Sequence, residues 1–185
     1  MKKIILFGDS LTDYFPMEKL KDMEADIINC GRAGDTLPEM HARLSYDVIV
    51  HRPDVVIMQG GANDFLMSFY RGYQVVARQL VDMGKEIMEK IPGVKVYIQS
   101  LYPAYTKQIG MMPSWAEGKS NQEIAKINGE IQRLCMQYHI EYLDVFLKLI
   151  GADGQLPLEY TMDGIHLKDN AYDIVAQCIR PLCFL

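Results

Sequence analysis

Residues 2–13 read Lys2-Lys3-Ile4-Ile5-Leu6-Phe7-Gly8-Asp9-Ser10-Leu11-Thr12-Asp13, a short unbroken apolar run that stops at Gly-Asp-Ser. An unbroken run of Ile, Leu and Phe suits a strand covered on both faces, as in a parallel sheet. Glycine permits a sharp bend, and Asp or Ser directly after it is a common helix cap. The stretch therefore reads as a strand turning into a helix, the first step of a βαβ unit. A turn alone does not require a serine, which makes Ser10 the residue to explain.

The same alternation continues along the chain. Strand-length apolar runs occupy 3–7, 26–30, 55–58, 95–99 and 141–145, each nearly continuous, so five strands covered on both faces are expected. Helical periodicity predicts a weak segment at 16–24 and stronger ones at 37–44, 73–91, 121–138 and 169–183. In the longest, Val76, Leu80, Met83, Ile87 and Ile91 recur every three or four residues and mark one core-facing stripe. Strands alternating with helices predict an α/β fold with a parallel sheet and right-handed crossovers. With no repeat, low-complexity tract or linker, residues 1–185 read as a single domain.

Composition narrows the function classes. The 185 residues are 49% hydrophobic and 23% charged, ample for one core, and a domain of this size buries roughly 70% of its unfolded surface. A net charge of −5 without a Lys/Arg cluster argues against nucleic acid or an anionic membrane as partner. No stretch reaches membrane-span length, and the Ile4–Phe7 run is too short for a signal-peptide core, so stable membrane insertion is not expected and a cytoplasmic protein is. Cys30, Cys135, Cys178 and Cys183 show no CxxC spacing and read as buried free thiols, which fits a reducing compartment. Composition leaves a homo-oligomer open.

In a parallel α/β sheet the ligand site lies at the carboxyl ends of the strands. The segments that follow the runs are Gly8-Asp9-Ser10, then GRAGDT (31–36), GGAND (60–64), SLYPAY (100–105) and, further on, DGIH (163–166). They assemble a nucleophile and its helpers. A serine hydroxyl needs a neighbouring base, and His166 is a suitable one. Asp163 lies three residues earlier, so in a helical turn the two share a face and Asp163 can hold the imidazole. Gly34 offers a backbone N–H and Asn63 a side-chain amide to an oxyanion.

Taken in order, GDSLTD, NCGRAGDT, GGAND and DGIHL resemble the four sequence blocks of the SGNH-hydrolase superfamily, the GDSL esterase/lipase family, from residue 8 to about residue 167. The resemblance implies a three-layer α/β/α sandwich, flavodoxin-like, around a five-stranded parallel sheet. It implies Ser10 as nucleophile and first oxyanion donor, Gly34 and Asn63 as the second and third donors, His166 as base and Asp163 as its partner. No cofactor and no metal are expected.

Each block also has a plainer reading. Gly-Asp-Ser serves as a turn and cap, with Asp9 supporting the turn; Asp35 reads as the N-cap of the 37–44 helix; Asn63-Asp64 and Asp163-Gly164 serve as turns. His41, His51 and His139 have no acid partner that the sequence identifies and read as surface or structural. Two other classes compete: a non-catalytic flavodoxin-like domain, and a magnesium site gathered from Asp9, Asp64 and Asp163. The magnesium site leaves Asn63 and His166 without work. A phosphate-binding first loop is opposed by Asp9 and Asp13.

The substrate is to be sought in two apolar loops. The segment 100–122 carries Tyr102, Tyr105, Met111, Met112 and Trp115 among Pro and Gly, as a substrate wall, a lid or an interface. The segment 65–73 carries Phe65, Leu66, Phe69 and Tyr70. Met111, Met112, Trp115 and Phe65 are the candidate substrate-binding residues. With no long apolar groove in the sequence, a short acyl ester, acetyl first, is the expected substrate of a serine esterase. Longer chains, as for a lysophospholipase or acyl thioesterase, are the alternative.

Overall fold

The opening apolar run forms β1 (Lys2–Gly8) in the computed structural model, which describes residues 1–67, 70–108, 110–111 and 115–184. Its side chains from Ile4 to Phe7 alternate between two cores, Ile5 and Phe7 into one and Ile4 and Leu6 into the other, so none of these four positions is free to be polar. In chain order the remaining elements are α1 (Ser10–Asp13), β2 (Ala25–Gly31), α2 (Leu37–Asp47), β3 (Val55–Gln59), α3 (Ala62–Leu66), α4 (Tyr73–Lys90), β4 (Lys95–Gln99), α5 (Asn121–Tyr138), β5 (Glu141–Leu143), α6 (Phe146–Leu149) and α7 (Asp169–Ile179).

The five strands form one sheet in the order β2-β1-β3-β4-β5, with every neighbouring pair parallel. Helices α2, α4 and α5 pack their apolar stripes into one face; α7, with Leu11 and Phe15 from the first connection, covers the other. This is the expected three-layer α/β/α sandwich. In α4, Val76, Leu80, Met83 and Ile87 are buried, and Ile91 follows them into the same core just past the helix end. Each such side chain contributes about 1.5–3 kcal/mol by leaving water.

The departures from expectation are local. The outer strands β2 and β5 are only partly covered, because an edge strand lacks a neighbour on one side. The last strand ends at Leu143, not 145, because the Ser100 hydroxyl accepts from the N–H groups of Val145 and Phe146 at 2.9 and 2.7 Å and turns the chain into α6. The expected helix 169–183 stops at Ile179 and tightens to a 3₁₀ turn at Arg180–Cys183, where Pro181 removes a donor. The segment expected at 16–24 is one 3₁₀ turn, Met17–Leu20. The four cysteines are free, Cys135 and Cys183 buried and Cys30 and Cys178 partly so. Among the described residues no helix is long and apolar enough to cross a membrane.

The topology fixes where a site can lie. From β1 the chain runs to β2 on one side and then crosses back to β3 on the other. The connections leaving β1 and β3 therefore diverge, and a crevice opens at their carboxyl ends. Ser10 follows β1 and Asn63 follows β3.

Candidate active site

Ser10 stands at the first position of α1, immediately beyond β1. Gly8 is required by close approach: a Cβ there would lie 2.1 Å from Thr12 Oγ1 and 2.4 Å from Gln59 O. Asp9 is the N-cap, its Oδ1 accepting from Leu11 N at 3.0 Å. A four-residue helix is too short to be stable alone. Here it is braced by Tyr172 Oη donating to Leu11 O, by Asn29 Nδ2 donating to Thr12 O, and by Asp13 Oδ2 accepting from Ala33 N. These contacts hold the Ser10 hydroxyl at one place on the sheet edge.

The structure brings Asp163 and His166 to that hydroxyl. His166 Nε2 is 3.0 Å from Ser10 Oγ, and Nδ1 is 2.6 Å from Asp163 Oδ2. With Nδ1–H donating to the carboxylate, Nε2 is left to accept from the serine. The supporting backbone is not the helical turn expected from the three-residue spacing. It is a closed loop, pinched by an antiparallel bridge between Thr161 and Leu167. Inside it Asp163 Oδ1 accepts from the N–H groups of Ile165 and His166 at 3.0 and 2.8 Å. An Asx-type turn competes with helix by binding its own backbone two and three residues on, and so aims the acid at the ring. Tyr105 N donates to Gly164 O at 2.8 Å and ties the loop to the segment after β4. Burial pushes the Asp163 carboxyl up, but the His166 ring and the two N–H groups outweigh it and hold it below the ordinary Asp value.

Gly34 and Asn63 lie on the other side of the serine. Gly34 has a φ of +87° in an exposed loop, a conformation that favours glycine. Asn63, on α3, donates through Nδ2 to Asp35 O at 2.8 Å, which leaves its second amide proton unused by that bond. Ser10, Gly34, Asn63 and His166 line one cleft of about 290 Å³, whose apolar walls include Tyr14, Leu66, Met67, Trp115 and Ile165. The Tyr14 ring leans over His166 with centroids 5.3 Å apart.

Of the candidate substrate residues, Trp115 lines this cleft and is 72% exposed. Met111 does not line it: its side chain is 98% exposed, out in solvent. Phe65 is buried and faces instead a small apolar recess of about 20 Å³, which shares Ala62, Leu66 and Ile165 with the cleft. Met112 and Phe69 lie outside the described residues. Tyr70 turns away, bonding Glu123 at 2.9 Å. Tyr14, Met67 and Ile165 were not anticipated; they sit in or beside the motif segments without a residue-type signal of their own.

The other acids have separate work. Asp35 is not the cap of α2; Thr36 is, in a capping box with Glu39, while Asp35 pairs with Arg43. Asp64 accepts from Leu37 N at 2.9 Å, and burial raises its carboxyl despite that bond. Burial raises Asp9 to about 7, against the Leu11 N–H and the nearby His166, with Asp64 and Asp35 adding to the rise. Among the described residues no three His, Cys, Asp or Glu side chains are grouped to hold a metal ion. His41 does have an acid partner, Glu86 at 2.8 Å, reached from α2 to α4 across 45 residues that local sequence cannot span. His139, with a φ of +57°, caps α5, and His51 is exposed.

Comparison with known proteins gives a consistent family. A model described as the GDSL-like lipase/acylhydrolase family matches residues 6–174. A curated protein, the N-acylneuraminate cytidylyltransferase of Escherichia coli O18:K1:H7 (strain RS218 / NMEC), is 26% identical over 180 residues, which are 97% of this chain and 40% of that protein. The chain thus spans about two fifths of that relative's length. Among solved structures, a lipase/acylhydrolase from Enterococcus faecalis superposes with a TM-score of 0.80 at 22% identity, covering 98% of this chain and 95% of the other. An acetyl xylan esterase superposes with a TM-score of 0.77 at 19% identity, covering 97% and 98%. At these identities the structural likeness speaks for the fold.

Proposed function

The chain belongs to the GDSL-like lipase/acylhydrolase family, and we propose that it is a serine esterase that removes a short acyl group, acetyl first, from a carbohydrate alcohol. The observation that carries this reading is the row Ser10 Oγ, His166 Nε2 and Nδ1, Asp163 Oδ2, with steps of 3.0 and 2.6 Å, opening into a cleft.

In the proposed reaction Ser10 Oγ attacks the ester carbonyl while His166 Nε2 takes its proton. Asp163 holds the ring and stabilises the imidazolium that forms. The carbonyl oxygen becomes an oxyanion held by the N–H of Ser10, the N–H of Gly34 and the free amide proton of Asn63, each such donor supporting a factor of roughly 10²–10³ in rate. The tetrahedral intermediate collapses, His166 gives its proton to the departing alcohol, and an acyl-serine remains. Water activated by the same imidazole then attacks the acyl-serine, releasing the carboxylic acid and restoring Ser10. No step calls for a metal or cofactor.

Two features support the short acyl group and the sugar. The recess beside the cleft is walled by Leu11, Phe65, Leu66 and Leu101, and about 20 Å³ accommodates little more than one water-sized group. A methyl fits that description. At the cleft rim Tyr14 and Trp115 present half-exposed and largely exposed aromatic faces, suited to covering a pyranose ring while leaving its hydroxyls in water. The name of one structural relative, an acetyl xylan esterase, supports the same reading. The test is kcat/KM across p-nitrophenyl acetate, butyrate, hexanoate and octanoate, with acetylated xylo-oligosaccharides and O-acetylated sugar acids alongside and Ser10→Ala as control. Acetate should lead the series; a maximum at octanoate overturns the short-acyl reading.

A further inference from the structure

We infer that Arg43 is a positioning residue for the oxyanion hole, its one buried guanidinium fixing the three segments that present Ser10, Gly34 and Asn63. The inference rests on the proposed reading of the site.

Arg43 projects from α2 beneath the loop that carries Gly34, and it is only 7% exposed. Nη2 donates to Gly8 O at 2.7 Å, at the end of β1 and two residues before Ser10. Nη1 donates to Cys30 O at 2.8 Å, near the end of β2, and to Asp47 Oδ2 at 2.7 Å. Nε donates to Asp35 Oδ2 at 2.5 Å, and Asp35 is the residue after Gly34. The peptide of Asp35 completes the chain of contacts, since its carbonyl accepts the 2.8 Å bond from Asn63. The guanidinium carbon lies 4.5 Å from the centroid of the Phe7 ring in β1. All three proposed donors are thus within two residues, or one hydrogen bond, of a group that Arg43 grips.

Net stability does not account for this arrangement. A buried ion pair returns little stability over an apolar replacement, because both charges must be desolvated. A planar fork with five N–H groups does supply something an apolar residue or a lysine cannot, namely fixed angles between a strand end, a second strand end and a loop. Oxyanion donors act only if held to within about 0.5 Å of their working positions, and a misplacement of about 1 Å costs on the order of 10² in rate.

The experiment compares Arg43→Lys, Asn63→Ala and the double variant with wild type, each first checked for folding by circular dichroism and melting temperature. The readouts are kcat and KM on p-nitrophenyl acetate and the Ki of phenylboronic acid, whose adduct on Ser10 is a tetrahedral anion. Arg43→Lys should lower kcat by about 10- to 100-fold with KM within about threefold, and the boronate Ki should rise in step with the fall in kcat/KM. The double variant should be little worse than the poorer single variant, because both act on the same oxyanion. A folded Arg43→Lys with wild-type kcat, or losses that simply multiply, overturns the inference. Should Arg43→Lys not fold, Asp35→Asn keeps the shape but weakens the tie to the loop; an unchanged kcat there is equally fatal. Activity surviving in Ser10→Ala would instead overturn the esterase reading of the site and leave a different signature.

Discussion

Asn63 is held by the peptide of Asp35: its Nδ2 donates to that carbonyl across 2.8 Å, 28 residues away in sequence. The bond uses one amide proton and orients the other. A donor oriented in advance stabilises charge that exists only in the transition state. Asn63→Ala is therefore expected to lower kcat by roughly 10²-fold with KM nearly unchanged, measured by steady-state kinetics on p-nitrophenyl acetate. A rise in KM alone would make Asn63 a substrate-binding residue.

In the proposed reaction His166 and Asp163 are expected to contribute unequally. Loss of the base removes proton transfer in both half-reactions, whereas loss of the acid leaves an imidazole that is still present but poorly held. His166→Ala should cost on the order of 10⁴- to 10⁶-fold in kcat, and Asp163→Ala measurably less. Asp163 itself, held below the ordinary Asp value of 3.8, stays ionised across the neutral range. Its contribution to stability is present above about 3.8 and is lost as pH falls through the lower folded value. Asp163→Asn should thus narrow the stability gap to wild type on strong acidification, as followed by thermal melts from pH 7 to pH 3.

Asp9 has the opposite sign. It is fully buried, Oδ1 caps Leu11, and Oδ2 has no hydrogen-bond partner among the described residues. Its carboxyl is raised from 3.8 to about 7, so between those values the folded chain binds a proton that the unfolded chain does not. Stability then declines as pH rises from about 4 to about 7. Asp9→Asn keeps an oxygen for the cap and abolishes the titration. The variant should gain melting temperature relative to wild type as pH rises from 5 to 8; a difference that stays flat across that range would show that Asp9 does not take up a proton on folding.

Among the described residues of segment 100–122, Trp115 reaches the cleft, while Met111 does not. An aromatic face against a ring contributes about 0.5–1.5 kcal/mol beyond area, so Trp115→Ala should raise KM for acetylated xylo-oligosaccharides by about two- to tenfold. The same substitution should leave p-nitrophenyl acetate nearly unaffected. Equal effects on both substrates would assign Trp115 to the loop's packing.

The sheet and its site edge were legible because both depend on local patterns. Strands buried on both faces leave unbroken apolar runs, as at Ile4 to Phe7, and the positions of Ser10 and Asn63 follow from where those runs stop, whereas His166 was read from its own motif. Long helices with a stripe were equally readable, α5 to the residue. What sequence did not reveal is whatever requires a partner from far along the chain. Arg43 and Asp47 pair at i, i+4 on α2, but only the meeting of β1, β2 and α2 buries the guanidinium. Asp35 next to a helix start reads as a cap, yet Thr36 takes that place and frees Asp35 for Arg43. The turn that joins Asp163 to His166 was misjudged because spacing alone cannot tell a helical turn from an Asx loop closed by Thr161 and Leu167.

The recess beside the cleft makes acyl length the most direct test of the pocket. Its walls join those of the cleft at Ala62, Leu66 and Ile165, and Leu101 is nearly fully buried among them. An acyl chain longer than the space allows must turn back into the cleft, and each misfitted methylene costs about 1–3 kcal/mol, or 10- to 200-fold. Wild-type kcat/KM should therefore fall steeply from acetate to butyrate. Leu101→Ala removes three carbons from the wall, and the preference should move towards butyrate. The same change should destabilise the fold by about 2–5 kcal/mol, the usual cost of a large-to-small substitution in a core, so rates are compared below the lowered melting temperature. Selectivity is a ratio on one variant and is untouched by a loss of folded protein, which separates the two effects. If Leu101→Ala melts earlier but ranks the esters as wild type does, the recess is packing space and the acyl group lies along the open cleft.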